Sequence, residues 1–290
     1  MNNIWSSYIQ GVKTLDSSRK LRFSDIYKEQ YKKIFSLPEC AKILEIGCGS
    51  GALCGSLKRW YPDADILGID PDSSFIEFAK NAVPNVSFSD GDANALDFAD
   101  KTFDVTISNT VAEHIEPSKF FGEQYRVLKD GGVCLVLSTR KSITQMAPCL
   151  CEETEFEQNI WNRVFDERRR ADEKNGVCRY PMSEAEYPAV MEKYGFRDVT
   201  VDYVTVTLTP DDPRVPREAA LDIINAERLS QLDGIEVMSR VCADKVSKDE
   251  INEMIRLTNA RFDRRIELYN AGEKQWDTSV TVIMVMRGIR

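Results

Sequence analysis

The sequence predicts an α/β fold in which a parallel sheet is doubly wound, with helices on both of its faces. Strand-like and helical stretches alternate through residues 41–140, which is typical of parallel strands joined by helical crossovers. A glycine-rich turn follows the first strand-like run, and polar residues follow the later ones. Ligands bind beyond the carboxyl ends of the strands in such sheets, so the same pattern predicts where a site lies.

The elements of this core follow from short apolar runs and from helical periodicity. Strands are predicted near residues 42–46, 65–69, 85–89, 103–108 and 132–138. Helices are predicted between them, at 52–60, 73–82 and 117–128. Pro117 suits the first turn of the third helix, and Gly131 follows that helix as a stop signal. Two more strand-like runs, 199–208 and 280–286, lie towards the end of the chain.

Residues 1–36 precede the core and are rich in aromatic side chains. Ser24 is a predicted cap for a helix over 25–35. We expect residues 1–36 to form a helical lid and residues 37–290 to form the main domain. Aromatic residues at helical spacing are also explained by simple core packing, so both interpretations stay open.

Two helical insertions are predicted within the main domain. The first covers about 141–180, with a helix near 152–174. The second covers about 211–278, with helices within 216–229 and 248–270. It is long enough to serve as a cap over a substrate or as a dimer surface.

Three alternate glycines follow the first strand. Gly47, Gly49 and Gly51 belong to the run Ile-Leu-Glu-Ile-Gly-Cys-Gly-Ser-Gly, in which Glu45 stands just ahead of them. Glycine lets the chain turn sharply and lets backbone N–H groups approach a ligand, while the following helix presents its positive N-terminus. This order predicts a nucleoside cofactor.

Two cofactors compete for this turn. The spacing Gly47-x-Gly49-x-x-Ala52 also satisfies a dinucleotide fingerprint, and Asp70 ends the next apolar run, as that fingerprint requires. Glu45 separates the two, because a carboxylate would repel a pyrophosphate but would attract the cationic amino group of S-adenosyl-L-methionine. Glu45 therefore favours the sulfonium cofactor.

Five motifs in order resemble the class I S-adenosylmethionine-dependent methyltransferases, in particular those that act on small molecules. The first is the glycine turn with its acidic residue, at residues 45–51. The second and third are the run Ile-Leu-Gly-Ile-Asp-Pro at 66–71 and the turn Ser-Asp-Gly-Asp-Ala at 89–93. The last two are a fourth strand at 103–109 and the turn before a fifth strand at 127–132. The resemblance implies a Rossmann-like sheet of seven strands, mostly parallel with an antiparallel last strand. In that family the last two strands are nearly contiguous, so the insertion over 211–278 is a departure.

The resemblance also implies the roles of single residues. Glu45 would hold the methionine amino group, Asp70 the two ribose hydroxyls and Asp92 the adenine amino group. Arg22 is a candidate for the methionine carboxylate. The implied cofactor-binding set is Glu45, Gly47, Cys48, Gly49, Gly51, Asp70, Pro71, Asp92, Ala93 and Asn109.

The acceptor side is less defined by the sequence. In the resembling family the segment after the fifth strand builds specificity, which makes Arg140, Met146 and Trp161 candidates for a substrate pocket. Tyr27 and Tyr31 of the N-terminal segment are candidates for the same role. An amphipathic helix that merely covers the sheet explains the first group equally well.

His114 is the only histidine of the chain, and it follows the fourth strand. A histidine with a pKa near neutrality could take a proton from the acceptor, or it could simply hold the turn between strand and helix. Related metal-dependent methyltransferases carry E-x-x-E-H here, whereas this chain has Thr110 at the first acidic position. We therefore expect no bound metal, since magnesium prefers carboxylate oxygens.

Composition limits the partners. The 290 residues carry a formal net charge of −9, which disfavours nucleic acid. No apolar run is long enough for a membrane span and no secretory leader is visible, so we expect a cytoplasmic location. A monomer and a homodimer both remain open.

The sequence thus predicts an enzyme that transfers a methyl group from S-adenosyl-L-methionine to a small molecule and releases S-adenosyl-L-homocysteine. One alternative is a protein that binds this cofactor without catalysis. The other is a nicotinamide-dependent oxidoreductase, which Glu45 and the lack of an evident Tyr-x-x-x-Lys pair disfavour.

Overall fold

The computed structural model describes residues 4–140, 145–147 and 152–290, with the backbone alone for 145–147. In this part of the chain one sheet forms from eight strands. They are β1 (Lys42–Ile46), β2 (Asp65–Asp70), β3 (Ser87–Asp90), β4 (Phe103–Asn109), β5 (Leu128–Thr139), β6 (Gln145–Ala147), β7 (Arg197–Leu208) and β8 (Thr278–Ile289).

The sheet confirms the predicted seven-stranded, mostly parallel arrangement. Strands β1 to β5 pair in parallel in the order β3-β2-β1-β4-β5. Strand β8 runs antiparallel between β5 and β7. The short β6 pairs with the start of β8, beyond the point where β5 ends, so it adds length to one edge of β8 and not an eighth position across the sheet.

Helices cover both faces of this sheet and also extend beyond it. They are α1 (Ile4–Tyr8), α2 (Val12–Arg22), α3 (Lys28–Phe35), α4 (Ala52–Trp60), α5 (Ser73–Ala82), α6 (Pro117–Val127), α7 (Glu155–Lys174), α8 (Glu186–Lys193), α9 (Arg217–Val241) and α10 (Lys248–Ala271). Among the described residues, none of these helices combines the length and the apolar composition that a bilayer crossing needs.

The helices of the core lie within one residue of their predicted positions, but the N-terminal segment differs. The predicted helix over 25–35 is split into a 3₁₀ turn, Asp25–Tyr27, and α3. The Ser24 side chain makes no capping hydrogen bond, so its predicted role as a cap is wrong. Helix α2 was not predicted, because its pattern Val-Lys-Thr-Leu-Asp-Ser-Ser-Arg-Lys-Leu-Arg is mostly polar.

The two insertions form one helical layer. Apolar side chains of α7, α9 and α10 pack into a single cluster, with Ile160, Ile235 and Met254 among its members. A buried ion pair between Glu157 and Arg261, at 2.8 Å, joins α7 to α10. Helix α9 also packs against α2, so this layer supports the N-terminal helices from outside.

The entrance and the exit of the second insertion are fastened together. Arg265 of α10 is buried and pairs with Asp211 at 2.8 Å and with Asp277 at 2.5 Å. Asp211 also accepts hydrogen bonds from the backbone N–H groups of Gln275 and Trp276. The chain of the second insertion therefore returns to β8 without disturbing the pairing of β7 with β8.

Candidate active site

A cavity of about 450 Å³ opens at the carboxyl ends of the parallel strands. Its floor is formed by the ends of β1, β2 and β4 and by the turns that follow them, and its roof by α1 and α2. This is the position at which doubly wound sheets bind ligands. The structure thus brings every predicted cofactor residue except Gly51 to this cavity, together with α1 and α2 of the predicted lid.

The glycine turn follows the end of β1 and contains three residues with left-handed backbone angles. Gly47, Gly49 and Gly51 have φ angles of 69°, 52° and 77°. A Cβ atom on Gly47 would lie 2.5 Å from Val111 Cγ2, and one on Gly49 would lie 2.6 Å from Leu15 Cδ2. Glycine is therefore required by the backbone angle and by the closeness of Val111, in the turn after β4, and of Leu15, in the roof.

Asp70 ends β2 and holds this turn in place. One of its carboxylate oxygens accepts a hydrogen bond from the Gly49 N–H, and the other accepts one from the Asp72 N–H, both at 2.9 Å. Burial raises the pKa of Asp70 to about 6. Each carboxylate oxygen can accept more than one hydrogen bond, so Asp70 retains capacity for a ligand hydroxyl.

Glu45 lies in β1, one residue from its end, and is almost fully buried at 2% exposure. Its Oε2 atom has no hydrogen-bond partner among the described residues. Burial raises the pKa of Glu45 to about 8, although the Cys54 side chain and Arg19 act in the opposite direction. Asn109, at the end of β4, also keeps a buried Oδ1 atom without a partner. Buried acceptors of this kind are costly unless a ligand completes them.

The rim next to β3 carries the predicted adenine-side residues. Asp92 is exposed and lines the cavity beside the buried Ala93. Its Oδ1 atom accepts hydrogen bonds from the backbone N–H of Asn94 at 2.8 Å and from the Asn94 side chain at 2.7 Å. These bonds hold the turn after β3 against the cavity.

Two arginines enter the cavity from α2. Arg19 donates to Thr110 Oγ1 at 3.0 Å, and Arg22 donates to Thr139 Oγ1 at 3.2 Å. The sequence pointed to Arg22 alone. Arg19 could have been found from the i, i+3 spacing, which places both side chains on one face of a helix, had α2 itself been predicted.

His114 lies in a 3₁₀ turn after β4 and contacts α1. The Trp5 and His114 rings meet edge to face, with centroids 4.7 Å apart. The Cys178 N–H donates to His114 Nδ1 at 2.9 Å, so the neutral ring carries its proton on Nε2. Burial lowers the pKa of His114, and Glu113 and nearby carbonyl groups only partly oppose that shift. The neutral ring is therefore a hydrogen-bond donor at Nε2, whereas a base would need an unshared nitrogen lone pair.

Comparison with known proteins agrees with this geometry. Residues 44–136 match the family model described as a methyltransferase domain. The chain is 35% identical over 105 residues to a ubiquinone/menaquinone biosynthesis C-methyltransferase UbiE of Desulfotalea psychrophila, a match that covers 35% of this chain and 43% of that protein. It is also 35% identical over 106 residues to a fatty-acid O-methyltransferase of Mycolicibacterium smegmatis, covering 35% of this chain and 38% of that protein. The matches span less than half the length of either relative.

A solved structure extends the likeness of the fold to nearly the whole chain. Phosphoethanolamine N-methyltransferase 2 of Haemonchus contortus, in complex with S-adenosyl-L-methionine, superposes with a TM-score of 0.53 at 16% identity. The superposition covers 99% of this chain and 59% of that one. The chain contains a class I S-adenosylmethionine-dependent methyltransferase domain. This family match confirms the resemblance that the five motifs carry.

The structure keeps four predicted substrate residues of this protein outside the cavity lining. Tyr31 has no exposed surface and stacks on Trp60, with ring centroids 5.3 Å apart. The Tyr27 hydroxyl bonds to the backbone of Thr207 in β7. Both belong to the packing of α3, which is the alternative that their helical spacing left open.

The other two side chains are engaged with other parts of the protein. Arg140 pairs with Glu184 at 2.7 Å, and the Trp161 indole donates to Glu153 at 2.8 Å while its ring packs in the α7–α9–α10 cluster. The side chain of Met146 lies outside the described residues. The cavity is instead lined by Trp5, Leu15, Arg19, Phe75, Val177 and Cys178, which the sequence analysis had not assigned to it.

No group of three or more metal-ligating side chains lies together in the part of the chain that the structure describes. Whether the protein uses a metal therefore stays a prediction.

Proposed function

We propose that this protein transfers a methyl group from S-adenosyl-L-methionine to a small-molecule acceptor and releases S-adenosyl-L-homocysteine. The observation that carries the proposal is the buried, unpartnered Oε2 of Glu45 beside the glycine turn. An ammonium group at that position would give the carboxylate its missing donor and its counter-charge. A pyrophosphate there would face a carboxylate, so Glu45 opposes a nicotinamide dinucleotide.

The remaining cofactor contacts follow from the same geometry. The carboxylate of Asp70 is aligned by two backbone donors and would accept the ribose hydroxyls. Asp92 and Ala93 border the rim where the adenine would lie. The amino and carboxylate groups of the cofactor share one carbon atom, so their partners must be neighbours. Arg19, which lies close enough to Glu45 to influence its pKa, meets that condition and replaces Arg22 as the proposed carboxylate ligand.

When bound, the cofactor supplies a methyl group on a positively charged sulfur. The residues of this chain would position and desolvate the two reactants, and holding them at attack distance contributes about 7–11 kcal/mol in well-oriented systems. Trp5, Leu15 and Arg19 line the roof of the cavity and would limit the access of solvent to the bound reactants. His114 would donate a hydrogen bond from Nε2 to the acceptor or to a cofactor oxygen, which is a positioning role.

The organisation of the chain follows from this proposal. We infer that residues 1–36 contribute the lid through α1 and α2, and that residues 37–290 form the methyltransferase domain with its insertions. A cytoplasmic location and a homodimer stay predictions. Light scattering of the purified protein at several concentrations would test the oligomeric state.

Calorimetric titration with S-adenosyl-L-homocysteine and, under the same conditions, with NADH tests the cofactor. We expect micromolar binding of the first and none of the second, since Glu45 disfavours a pyrophosphate. Binding of NADH alone would overturn the proposal. Binding of S-adenosyl-L-homocysteine followed by no transfer of labelled methyl from the cofactor to any compound of a broad panel of small acceptors would favour the non-catalytic alternative.

A further inference from the structure

The cavity holds one more cation than the proposed cofactor contacts use. Arg19 and Arg22 both line it, and both lie on α2 at a spacing that places them side by side. Neither forms an ion pair with any carboxylate in the described part of the chain. Each instead donates to a neutral threonine hydroxyl at the end of a strand.

The two arginines differ in the charges around them. The carboxylates of Glu45 and Glu113 raise the pKa of Arg19, which burial and the neighbouring Arg22 lower. For Arg22, burial is the main influence, and only the Tyr31 hydroxyl acts in the opposite direction. Arg22 is therefore a partly buried guanidinium that forms no ion pair with a carboxylate of the described residues.

The position of Arg22 separates it from the cofactor residues. It lies over Thr139, the last residue of β5, whereas Glu45, Asp70 and Asn109 belong to β1, β2 and β4. Strand β5 adjoins β4 on the side away from β1 and β2. A ligand that reaches Arg22 therefore occupies the part of the cavity that lies past the cofactor's amino-acid end.

This difference matters because the cofactor brings only one carboxylate. This step rests on the proposed function, in which the carboxylate of the cofactor binds Arg19, next to the amino group held by Glu45. The sulfonium adds positive charge to the cavity when the cofactor binds. A second anion at Arg22 would supply the counter-charge that this guanidinium lacks, since a buried cation without one is costly.

We propose that Arg22 binds an anionic oxygen group, a carboxylate or a phosphate, on the methyl acceptor. The acceptors of this enzyme are accordingly small organic acids or phosphate esters whose nucleophilic atom lies a short distance from the anionic group. A guanidinium presents two parallel N–H donors to such a group, so Arg22 would set both the affinity and the orientation of the acceptor.

The test uses the full chain saturated with S-adenosyl-L-homocysteine. It is titrated with matched probes that share one skeleton and differ in charge: benzoate with benzamide, hexanoate with hexanamide, and phenyl phosphate with phenol. We expect at least one anionic probe to bind about tenfold or more tightly than its neutral partner, as hydrogen bonds between charged groups do. Preference for carboxylates or for phosphate distinguishes the two acceptor classes.

Three variants test whether Arg22 causes the preference for the anionic probe over the neutral one. In R22Q the anionic probe should lose its advantage over the neutral one, while R22K should retain part of it because a single charge remains. Affinity for S-adenosyl-L-homocysteine should stay within about twofold of wild type in both, which also shows that they fold. R169Q removes an exposed arginine of α7 that pairs only with neighbours on its own helix, and it should change neither measurement.

Two results would overturn the assignment. If no anionic probe binds the wild-type complex better than its neutral partner, Arg22 does not recognise an acceptor anion. If R22Q instead weakens S-adenosyl-L-homocysteine tenfold or more, Arg22 is the ligand of the cofactor carboxylate. Failure of the wild-type protein to bind S-adenosyl-L-homocysteine at all would contradict the proposed function itself, so the two failures are distinguishable.

Discussion

The floor and the roof of the cavity are built in different ways. The floor residues Glu45, Asp70 and Asn109 sit at or near the ends of adjacent parallel strands, where the register of the sheet places them side by side. The roof residues sit on α1 and α2, which reach the cavity through contacts with distant parts of the chain. The floor is thus positioned by backbone pairing, and the roof by side chains.

Three hydrogen-bonded contacts hold the roof in addition to the bonds that Arg19 and Arg22 donate to the strand ends. Ser6 donates from its backbone and its hydroxyl to Asp72, at 2.8 and 3.0 Å. Asp233 of α9 accepts from the Gly11 N–H at the start of α2 at 2.9 Å, and Arg240 donates to the Ser7 carbonyl at 2.6 Å. Helices of this length are marginal alone, so we expect the roof to loosen when these bonds are removed and the floor to remain.

The largest expected effect lies in the floor. D70A removes the proposed ribose acceptor and also frees the Gly49 and Asp72 N–H groups that it aligns. We expect the affinity for S-adenosyl-L-homocysteine to fall about 100-fold or more, because hydrogen bonds to a charged group contribute about 1.5–3 kcal/mol each. Isothermal calorimetry measures the loss.

The control for this change lies on the same strand. D65A alters an exposed aspartate at the opposite end of β2 and should leave the affinity unchanged. Near-wild-type binding by D70A would refute the assignment of Asp70.

The second effect tests the charge of the floor. Because burial raises the pKa of Glu45 to about 8, most of this carboxyl is protonated at pH 6.5 and must ionise to pair with an ammonium group. Affinity for S-adenosyl-L-homocysteine should therefore rise several-fold, and at most about tenfold, from pH 6.5 to 7.5. Asp70, with a pKa of about 6, is mostly ionised across this range and contributes less.

E45Q should remove this pH dependence and weaken S-adenosyl-L-homocysteine by about tenfold or more at pH 7.5. Binding of 5′-methylthioadenosine, which lacks the amino-acid group, should change little. A pH dependence that persists in E45Q would assign the titration to another group of the cavity.

The third effect tests the roof. D233A removes the acceptor for the Gly11 N–H and the negative charge at the N-terminus of α2, where such a charge is favourable. We expect a loss of about threefold to tenfold in affinity for S-adenosyl-L-homocysteine, because this bond acts only through α2. Hydrogen exchange should increase in residues 4–22 and not in β1 or β2.

D222A is the matched control, since it removes an exposed aspartate from the same helix. If D233A leaves exchange in residues 4–22 unchanged, α9 does not hold the roof.

The smallest effect concerns His114, where roof and floor meet. As the only histidine of the chain, it gives a single pair of imidazole resonances in NMR spectra. These should report a pKa below the ordinary value, because burial disfavours the charged ring. The nitrogen shifts should show a proton on Nε2, since Nδ1 accepts from Cys178. A proton on Nδ1, or a pKa raised above the ordinary value, would restore His114 as a candidate base.

The contrast between the floor and the roof of the cavity also explains which predictions agree with the structure. The core strands and helices, and the cofactor residues at their ends, follow from local patterns: apolar runs, a turn that needs left-handed glycines, and acidic residues at strand ends. The acceptor-side predictions fared differently. Tyr31 and Trp161 have the composition of pocket residues, but each packs into a core cluster, because helical spacing shows that one face of a helix is buried without showing what buries it.

The sequence by itself determined the sheet, the glycine turn and the carboxylates that line the cavity at the strand ends, since in a parallel sheet residues that end successive strands must converge at one edge. Only the tertiary structure decided which groups close the cavity. Arg19 and Arg22 reach it because α2 packs between the glycine turn and α9, and because α1 and the start of α2 are held by hydrogen bonds that span 66 to 233 residues of chain. Contacts at such separations depend on the packing of whole helices, which no local pattern encodes.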